Sequence, residues 1–436
     1  MARLNGKPEP LKNHAGGVSG RLTKIQQLKR SVLSCLLWED NFYEDGQSVA
    51  ARIKELVKDC PRSEVAALAV EARNEMHLRH VPLLLVRELA RNSSGMDSLV
   101  SETLKEVIQR PDELGEFLSL YWQDGRVSLS HQVKKGLAKA FTKFSAYQLA
   151  KYNRDNSVKL RDVMFLCHPK PVNEKQAEVW KKLVEGTLES PDTWEVALSG
   201  GADKRETFER LLSEGKLGYM ALLRSLRNMH GSGVDKQLVA NALLAGAKFS
   251  KVLPFRFVAA ARAVPSWEPA IDAAMLEAMA EMPRMKGRTV VLVDVSGSMD
   301  ERLSGKSDLT RLDAACALAV LIAGVCDEVA VFSFSECLTE VAPRKGMALI
   351  DAINQSQSHR GTCLGLAVKA LNENKYYDRL IVVTDEQSHD SVPSPKGMGY
   401  MINVATHQCG VAGGDWRRID GWSESVVRYI QAMEAE

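Results

Sequence analysis

The sequence predicts two architectures in series, an α-solenoid of HEAT-like repeats followed by a doubly wound α/β domain. Three observations carry that expectation. From residue 22 to about 282, apolar residues recur at helical spacing with little strand signal. These helical stretches are one to four turns long and joined by short polar loops, so each must stack on a neighbour to bury its face. From about residue 283, short aliphatic runs alternate with helical patterns, the signature of a largely parallel sheet.

Taken in order, residues 1–20 are rich in glycine and proline and read as a flexible lead-in. The repeat region spans 21–283, with helices expected at 64–73, 80–91, 101–110 and 234–244. Pro61, Pro82, Pro111, Pro169, Pro191 and Pro254 punctuate it. Asn173 and Gln176 look like a capping box. Ala177, Trp180, Leu183 and Val184 then share an apolar face, and Gly186 stands where a C-terminal stop belongs. The second domain is placed at 284–436. Its expected strands are 289–294, 328–334, a short edge near 338–342, 379–384 and 401–405. Its expected helices are 311–325, 363–372 and 422–433.

Composition narrows the class. In 436 residues, 45% are hydrophobic and 26% charged, the profile of a soluble globular protein. No apolar run is long enough to cross a membrane and the first residues lack a signal peptide's hydrophobic stretch, so no membrane partner is expected. The eight cysteines are scattered without a Cys-x-x-Cys, as in reduced cytoplasmic proteins, which argues against a disulfide framework or a zinc site. Net charge is only +2, yet residues 126–170 hold ten Lys or Arg against Asp155 and Asp162. That window carries +8 and leaves −6 for the rest, a local positive field.

A chemical site is expected where residues 289–294 end. The aliphatic run Thr-Val-Val-Leu-Val-Asp leads into Asp294, Ser296 and Ser298, and open α/β sheets hold ligands at the carboxyl ends of their strands. Thr362 follows a second polar loop, and Asp385 ends a second aliphatic strand. Aspartate and hydroxyl oxygens suit one Mg²⁺ or Mn²⁺ and not zinc. The five positions resemble the metal-ion-dependent adhesion site of von Willebrand factor A domains. The plain alternative is a hydrogen-bonded polar rim.

The basic window supplies a second candidate. Lys134, Lys135, Lys139 and Lys143 recur at spacings near four on one helix face, with no compensating glutamates in that stretch. They run on into Lys151, Arg154, Lys159, Arg161, His168 and Lys170. Lysine and arginine read phosphates, while Tyr147, Tyr152 and Phe165 would stack unpaired bases. The alternative is an ordinary solvated face.

Other motifs are set aside. Gly305-Lys-Ser lacks the upstream glycine of a P-loop, since Asp300 stands there. His77 and His80 straddle a helix boundary before Pro82. Asp294 with Asp385 and Glu386 lacks the further carboxylates of a two-metal nuclease.

With these stretches in hand, the chain resembles the Ro ribonucleoprotein (TROVE-domain) family. The resemblance rests on Asp-Val-Ser-x-Ser-Met at 294–299, Leu-Cys-His-Pro-Lys-Pro at 166–171, Ala-Leu-Leu-Arg-Ser-Leu-Arg-Asn-Met at 221–229 and Leu-Pro-Phe at 253–255. It covers residues from about 16 to the end, and the short connection after residue 404 is similar to bacterial-type members. It implies a ring of HEAT-like repeats closed by the A domain in a monomeric protein. Such a ring would bind Y-like noncoding RNA outside and single-stranded ends of misfolded small RNAs in its hole, with an exoribonuclease or another protein as a further partner. Family RNA-contact positions carry over to Lys151 and His168, with Asp155 standing beside Arg154 where the family has a basic residue. The expectation is an RNA-binding scaffold and not an enzyme. The competing reading is a protein-interaction adaptor that hooks a partner carboxylate through the metal.

Overall fold

Helices follow one another as far as Met279, and a largely parallel sheet begins at Met285. The structure is a computed structural model that describes residues 23–34, 46–76, 78–92, 97–153, 155–189, 191–250, 252–303, 309–404, 415–420 and 426–435. The expected lead-in, Arg154, His77 and the Gly305-Lys-Ser loop lie outside these residues. The chain divides into two compact units, one built mainly on residues 47–203 and the other on 204–436.

The first unit is all helix. Its elements are α1 (Lys24–Ser34), α2 (Gly46–Lys58), α3 (Arg62–Asn74), α4 (His80–Arg91), α5 (Leu99–Val107) and α6 (Asp112–Tyr121). They continue as α7 (His131–Phe141), α8 (Ala146–Tyr152), α9 (Leu160–Cys167), α10 (Glu174–Glu185) and α11 (Trp194–Ser199). The odd-numbered helices stack in a row, α1 on α3, α3 on α5, α5 on α7 and α7 on α9. That skipping pattern is what stacked helix pairs produce. The α5–α7 approach is close enough that a Cβ on Gly136 would lie 2.9 Å from Leu104 Cβ and 3.0 Å from the Ser101 carbonyl.

Local chemistry sets the ends. Asn173 caps α10 by accepting from the Gln176 N–H at 2.8 Å. The Gln176 side chain reaches one residue beyond the expected box and accepts from the Val172 N–H at 3.0 Å. Gly186 stops the helix in the left-handed conformation, φ 72°. Trp180 and Leu183 are buried as expected, but Ala177 is exposed.

The second unit opens with α12 (Lys204–Ser213), α13 (Tyr219–Gly231), α14 (Lys236–Ala247), α15 (Pro254–Ala263) and α16 (Glu268–Met279). The change to strand comes between Met279 and Met285. There follow β1 (Met285–Asp294), α17 (Arg311–Val325), β2 (Cys326–Phe334), β3 (Leu338–Glu340) and α18 (Met347–Asn354). The chain then runs through α19 (Leu364–Asn374), β4 (Arg379–Thr384), β5 (Met398–Asn403), β6 (Trp416–Asp420) and α20 (Val426–Ala435).

The strands form one sheet in the order β3-β2-β1-β4-β5-β6, all parallel except β3. Val290, Leu292, Leu380 and Val382 pack with α19 on one face. Strand alternation turns Val291, Val293, Ile381 and Val383 to the opposite face, and α17 packs on β1, β2 and β4. The edge strand β3 is only three residues long, and its Glu340 pairs with Lys375 at 2.9 Å.

Two elements depart from the sequence expectation. Helix α18 starts without a capping side chain of its own. Asp272 of α16 does the work from 75 residues away, accepting from the Met347 N–H at 2.8 Å. Gly346 makes this possible: its φ is 59°, and a Cβ there would meet Asp272 at 2.1 Å. Strand β6 was also unforeseen, a short piece with two arginines that pairs along β5.

The compact units divide at 203/204, whereas the sequence places the domain change near 284. The reason is α17. Every residue from Arg311 to Ile322 is buried, because α15 and α16 cover the side that the sheet does not. The row α13–α15–α17 continues the next-but-one packing into the α/β region.

Candidate functional site

The chain runs from β1 to β2 and β3 on one side, then returns to β4 on the other, so β1 and β4 flank the topological switch point. Asp294 ends β1 and Asp385 follows β4, and both are fully buried. Asp294 Oδ1 accepts from the Ser296 N–H at 2.8 Å, and Oδ2 accepts from the Thr384 hydroxyl at 2.5 Å. Ser296 and Ser298 place their Oγ atoms 3.3 Å apart. Asp385 Oδ1 accepts from the Gln387 N–H at 3.2 Å.

The third loop closes in from the side. The Gly297 N–H donates to the Arg360 carbonyl at 3.1 Å, tying residues 296–298 to the segment that carries Thr362. Thr362 is itself buried. Its carbonyl accepts from the His389 N–H at 3.0 Å. Burial, and then the charge of Asp385, push the Asp294 carboxyl up to about 7. Two neighbouring carboxylates out of water repel each other, and a cation between them would relieve that cost.

The donor set fits a hard divalent ion: two buried carboxylates and three hydroxyls, all oxygen. Among the described residues, no group of three His, Cys, Asp or Glu side chains is placed to hold a metal. Glu386 does not join the site. Its φ is 60°, and its carboxylate turns to Arg418 of β6 at 3.6 Å. One side chain was not foreseen at all. Arg311, at the start of α17 and only 2% exposed, sets Nη1 3.2 Å from Asp385 Oδ2.

The basic window is less uniform than its spacing implied, and the glutamates do compensate. Lys139 bonds Glu102 of α5 and holds that carboxyl below the usual range. Lys143 donates to the Lys105 and Ile108 carbonyls, both at 2.5 Å, and so caps the end of α5. Burial lowers the Lys143 ammonium accordingly. The four lysines also face different ways. Lys139 turns to α5, while Lys134 lies near Cys167 of α9, pulling down a thiol that burial pushes up to about 12. Lys134 and Lys135 stand exposed.

Further along, Lys151 Nζ lies 6.0 Å from the ring centres of Tyr147 and Tyr152, and Arg110 covers Tyr152 at 4.7 Å. Lys159 pairs with Asp155 at 2.5 Å. Arg161, Phe165 and His168 share the exposed face of α9, with Phe165 60% exposed. His168 ends α9 in the left-handed conformation, φ 47° and ψ 56°; its backbone N–H caps the helix by donating to the Met164 carbonyl at 2.9 Å. Lys170 follows, also exposed.

Residues 185–303 match the TROVE domain model and residues 288–396 match the Ro60 vWA domain model. Together the two matches span residues 185–396 in succession. Among solved structures, the fold is similar to the crystal structure of the Ro (RSR) protein of Deinococcus radiodurans. The TM-score is 0.68 at 18% identity, over 92% of this chain and 97% of that one. No curated protein matches the chain.

Proposed function

We propose that the chain is the scaffold of a Ro-type ribonucleoprotein. It would bind a Y-like noncoding RNA and the single-stranded ends of misfolded or processed small RNAs, in RNA quality control, without catalysing a reaction itself. The observation that carries this is the exposed face of α9, where Arg161, Phe165 and His168 stand in line with Lys170 beyond them and Lys134 beside them. A cation, an aromatic ring and an exposed imidazole on one surface suit phosphates and unstacked bases together. Lys135, Lys151 and Lys159 extend the positive field, and Arg154 belongs to the same stretch of sequence. Lys139 and Lys143 are assigned to holding α5 and α7 together.

The reading includes a monomeric ring of repeats in the cytoplasm, with an exoribonuclease or another protein as a further partner. It also assigns one Mg²⁺ or Mn²⁺ to Asp294, Ser296, Ser298, Thr362 and Asp385. When bound, the ion would supply a Lewis-acidic anchor for a partner's oxygen. The chain's own residues hold its carboxylates in place through Thr384 and the Ser296 and Gln387 N–H groups.

RNA binding is tested by titrating single-stranded and duplex RNA of equal length against salt. At about −0.7 per contact, four phosphate contacts give a slope of log affinity on log salt of about −2.8. Reversal of Lys134 and Lys135 to glutamate should flatten that slope, and an unchanged slope would move the site off this surface. The oxygen-only site favours a second reading, a metal-dependent adaptor that binds a partner carboxylate and no RNA. Purified protein free of nucleic acid, and indifferent to both RNAs at low salt, would support it.

A further inference from the structure

We propose that Arg311 is a built-in counter-cation of the metal centre, which holds Asp385 while the centre is empty and gives it up when a divalent ion binds. The inference rests on the cation reading above and concerns how that site is loaded.

Arg311 is fixed at its base and shared at its tip. Thr310 and Asp313 form a closed capping box around it at the start of α17. Its backbone N–H donates to the Glu301 carbonyl at 2.9 Å. At the other end, Nη1 faces both Asp385 Oδ2 and the Ser298 carbonyl, each at 3.2 Å, and Nη2 faces Glu301 Oε2 at 3.4 Å. Charge-assisted bonds to carboxylate ordinarily close to about 2.7–2.9 Å. The guanidinium is therefore shared between Asp385 and Glu301, and its contact with each is longer than that range.

A metal and this guanidinium compete for the same charge. A bound Mg²⁺ would sit about 2.1 Å from a ligand oxygen. If it takes an oxygen of Asp385, two like charges come within a few ångströms of each other in a buried site, where Coulomb repulsion is poorly screened. Arg311 must then retreat toward Glu301, which is half exposed and offers a solvated anchor. The Ser298 carbonyl is held by the same Nη1, and Ser298 is itself a candidate ligand. Loading the ion and resetting the segment from Ser296 to Leu303 are thus one event. An intramolecular competitor weakens cation affinity, and it also spares the metal-free protein a pair of uncompensated carboxylates.

The experiment uses the full-length protein and Mn²⁺ as the probe, with uptake followed by calorimetry and by the loss of the free-ion paramagnetic signal. Arg311→Met removes the charge, Arg311→Gln removes it but keeps a donor for the Ser298 carbonyl, and Arg311→Lys keeps the charge. Neutral variants should bind Mn²⁺ at least tenfold more tightly than wild type, and Arg311→Lys should stay within threefold of it. In EDTA the neutral variants should melt below wild type, and Mg²⁺ should raise their Tm by more than it raises that of wild type. Should Arg311→Met fail to fold, Arg311→Gln carries the test. Binding of Mn²⁺ by wild type with equal or weaker binding by the folded neutral variant overturns the proposal, because Arg311 would then support the site. No uptake by wild type or by any variant overturns the cation reading itself. Uptake by Arg311→Gln alone supports the proposal in its strongest form.

Discussion

At the scale of single residues, the site couples to pH through Asp294. An unfolded aspartate titrates near 3.9, whereas burial and Asp385 push the native carboxyl up to about 7. Between those values the native state keeps a proton that the unfolded state releases. Its contribution to stability is therefore complete below about pH 4 and lost as pH rises through about 7. In EDTA, the Tm of wild type should fall between pH 5 and 8, while Asp294→Asn should lack that part of the slope. Parallel slopes would place the proton elsewhere. His168 gives a second residue-scale expectation. Its backbone caps α9 and its ring is exposed, so His168→Ala should weaken a folded stem-loop RNA by about 1–2 kcal/mol and leave the melting temperature nearly unchanged. A fall in Tm with unchanged affinity would remove the ring from the site. Asp294 and Ser296 were legible because the end of β1 and its polar turn share one short stretch of chain, and Asp385 because it directly follows the aliphatic run of β4. Arg311 was not, since it meets Asp385 only after 74 residues of intervening fold.

At the scale of elements, periodicity located α4, α17 and β4 to the residue, because each carries its own boundary signals or an unbroken aliphatic run. It missed α18, whose cap is Asp272 of another helix. It also misread α7. Spacing said which lysines share a helix, but not that α5 would bring Glu102 and two free carbonyls against Lys139 and Lys143. The tightness of that α5–α7 contact is testable at Gly136. A valine there would press on Leu104 and the Ser101 carbonyl, and overpacking of this kind costs about 1–3 kcal/mol. Chemical denaturation of Gly136→Val should show a lower midpoint, and an unchanged midpoint would mean that the helices can part without loss.

At the scale of the whole molecule, the signal for the division at 203/204 was present in the composition of α17. Its Arg-Leu-Asp-Ala-Ala-Cys-Ala-Leu-Ala-Val-Leu-Ile-Ala-Gly-Val run has no polar stripe, and a helix apolar all round is buried all round. One side was accounted for by the sheet, and the other had to be covered by something upstream. Fragments separate the two boundaries. Residues 204–436 should melt cooperatively, whereas residues 284–436 leave the outer side of α17 bare and should bind a hydrophobic dye without a sharp transition. A cooperative 284–436 fragment would restore the boundary at 284.

The short edge strand β3 has a consequence for how the protein behaves in concentrated solution. A long, flat, apolar edge is a template on which another chain can extend the sheet. Here the exposed rim ends after three residues, and its last one, Glu340, is locked to Lys375. Replacing Thr339 and Glu340 by valine would remove that gatekeeping charge while leaving the buried centre of the sheet untouched. The first symptom should be turbidity that rises with protein concentration at temperatures where the circular dichroism spectrum is still native.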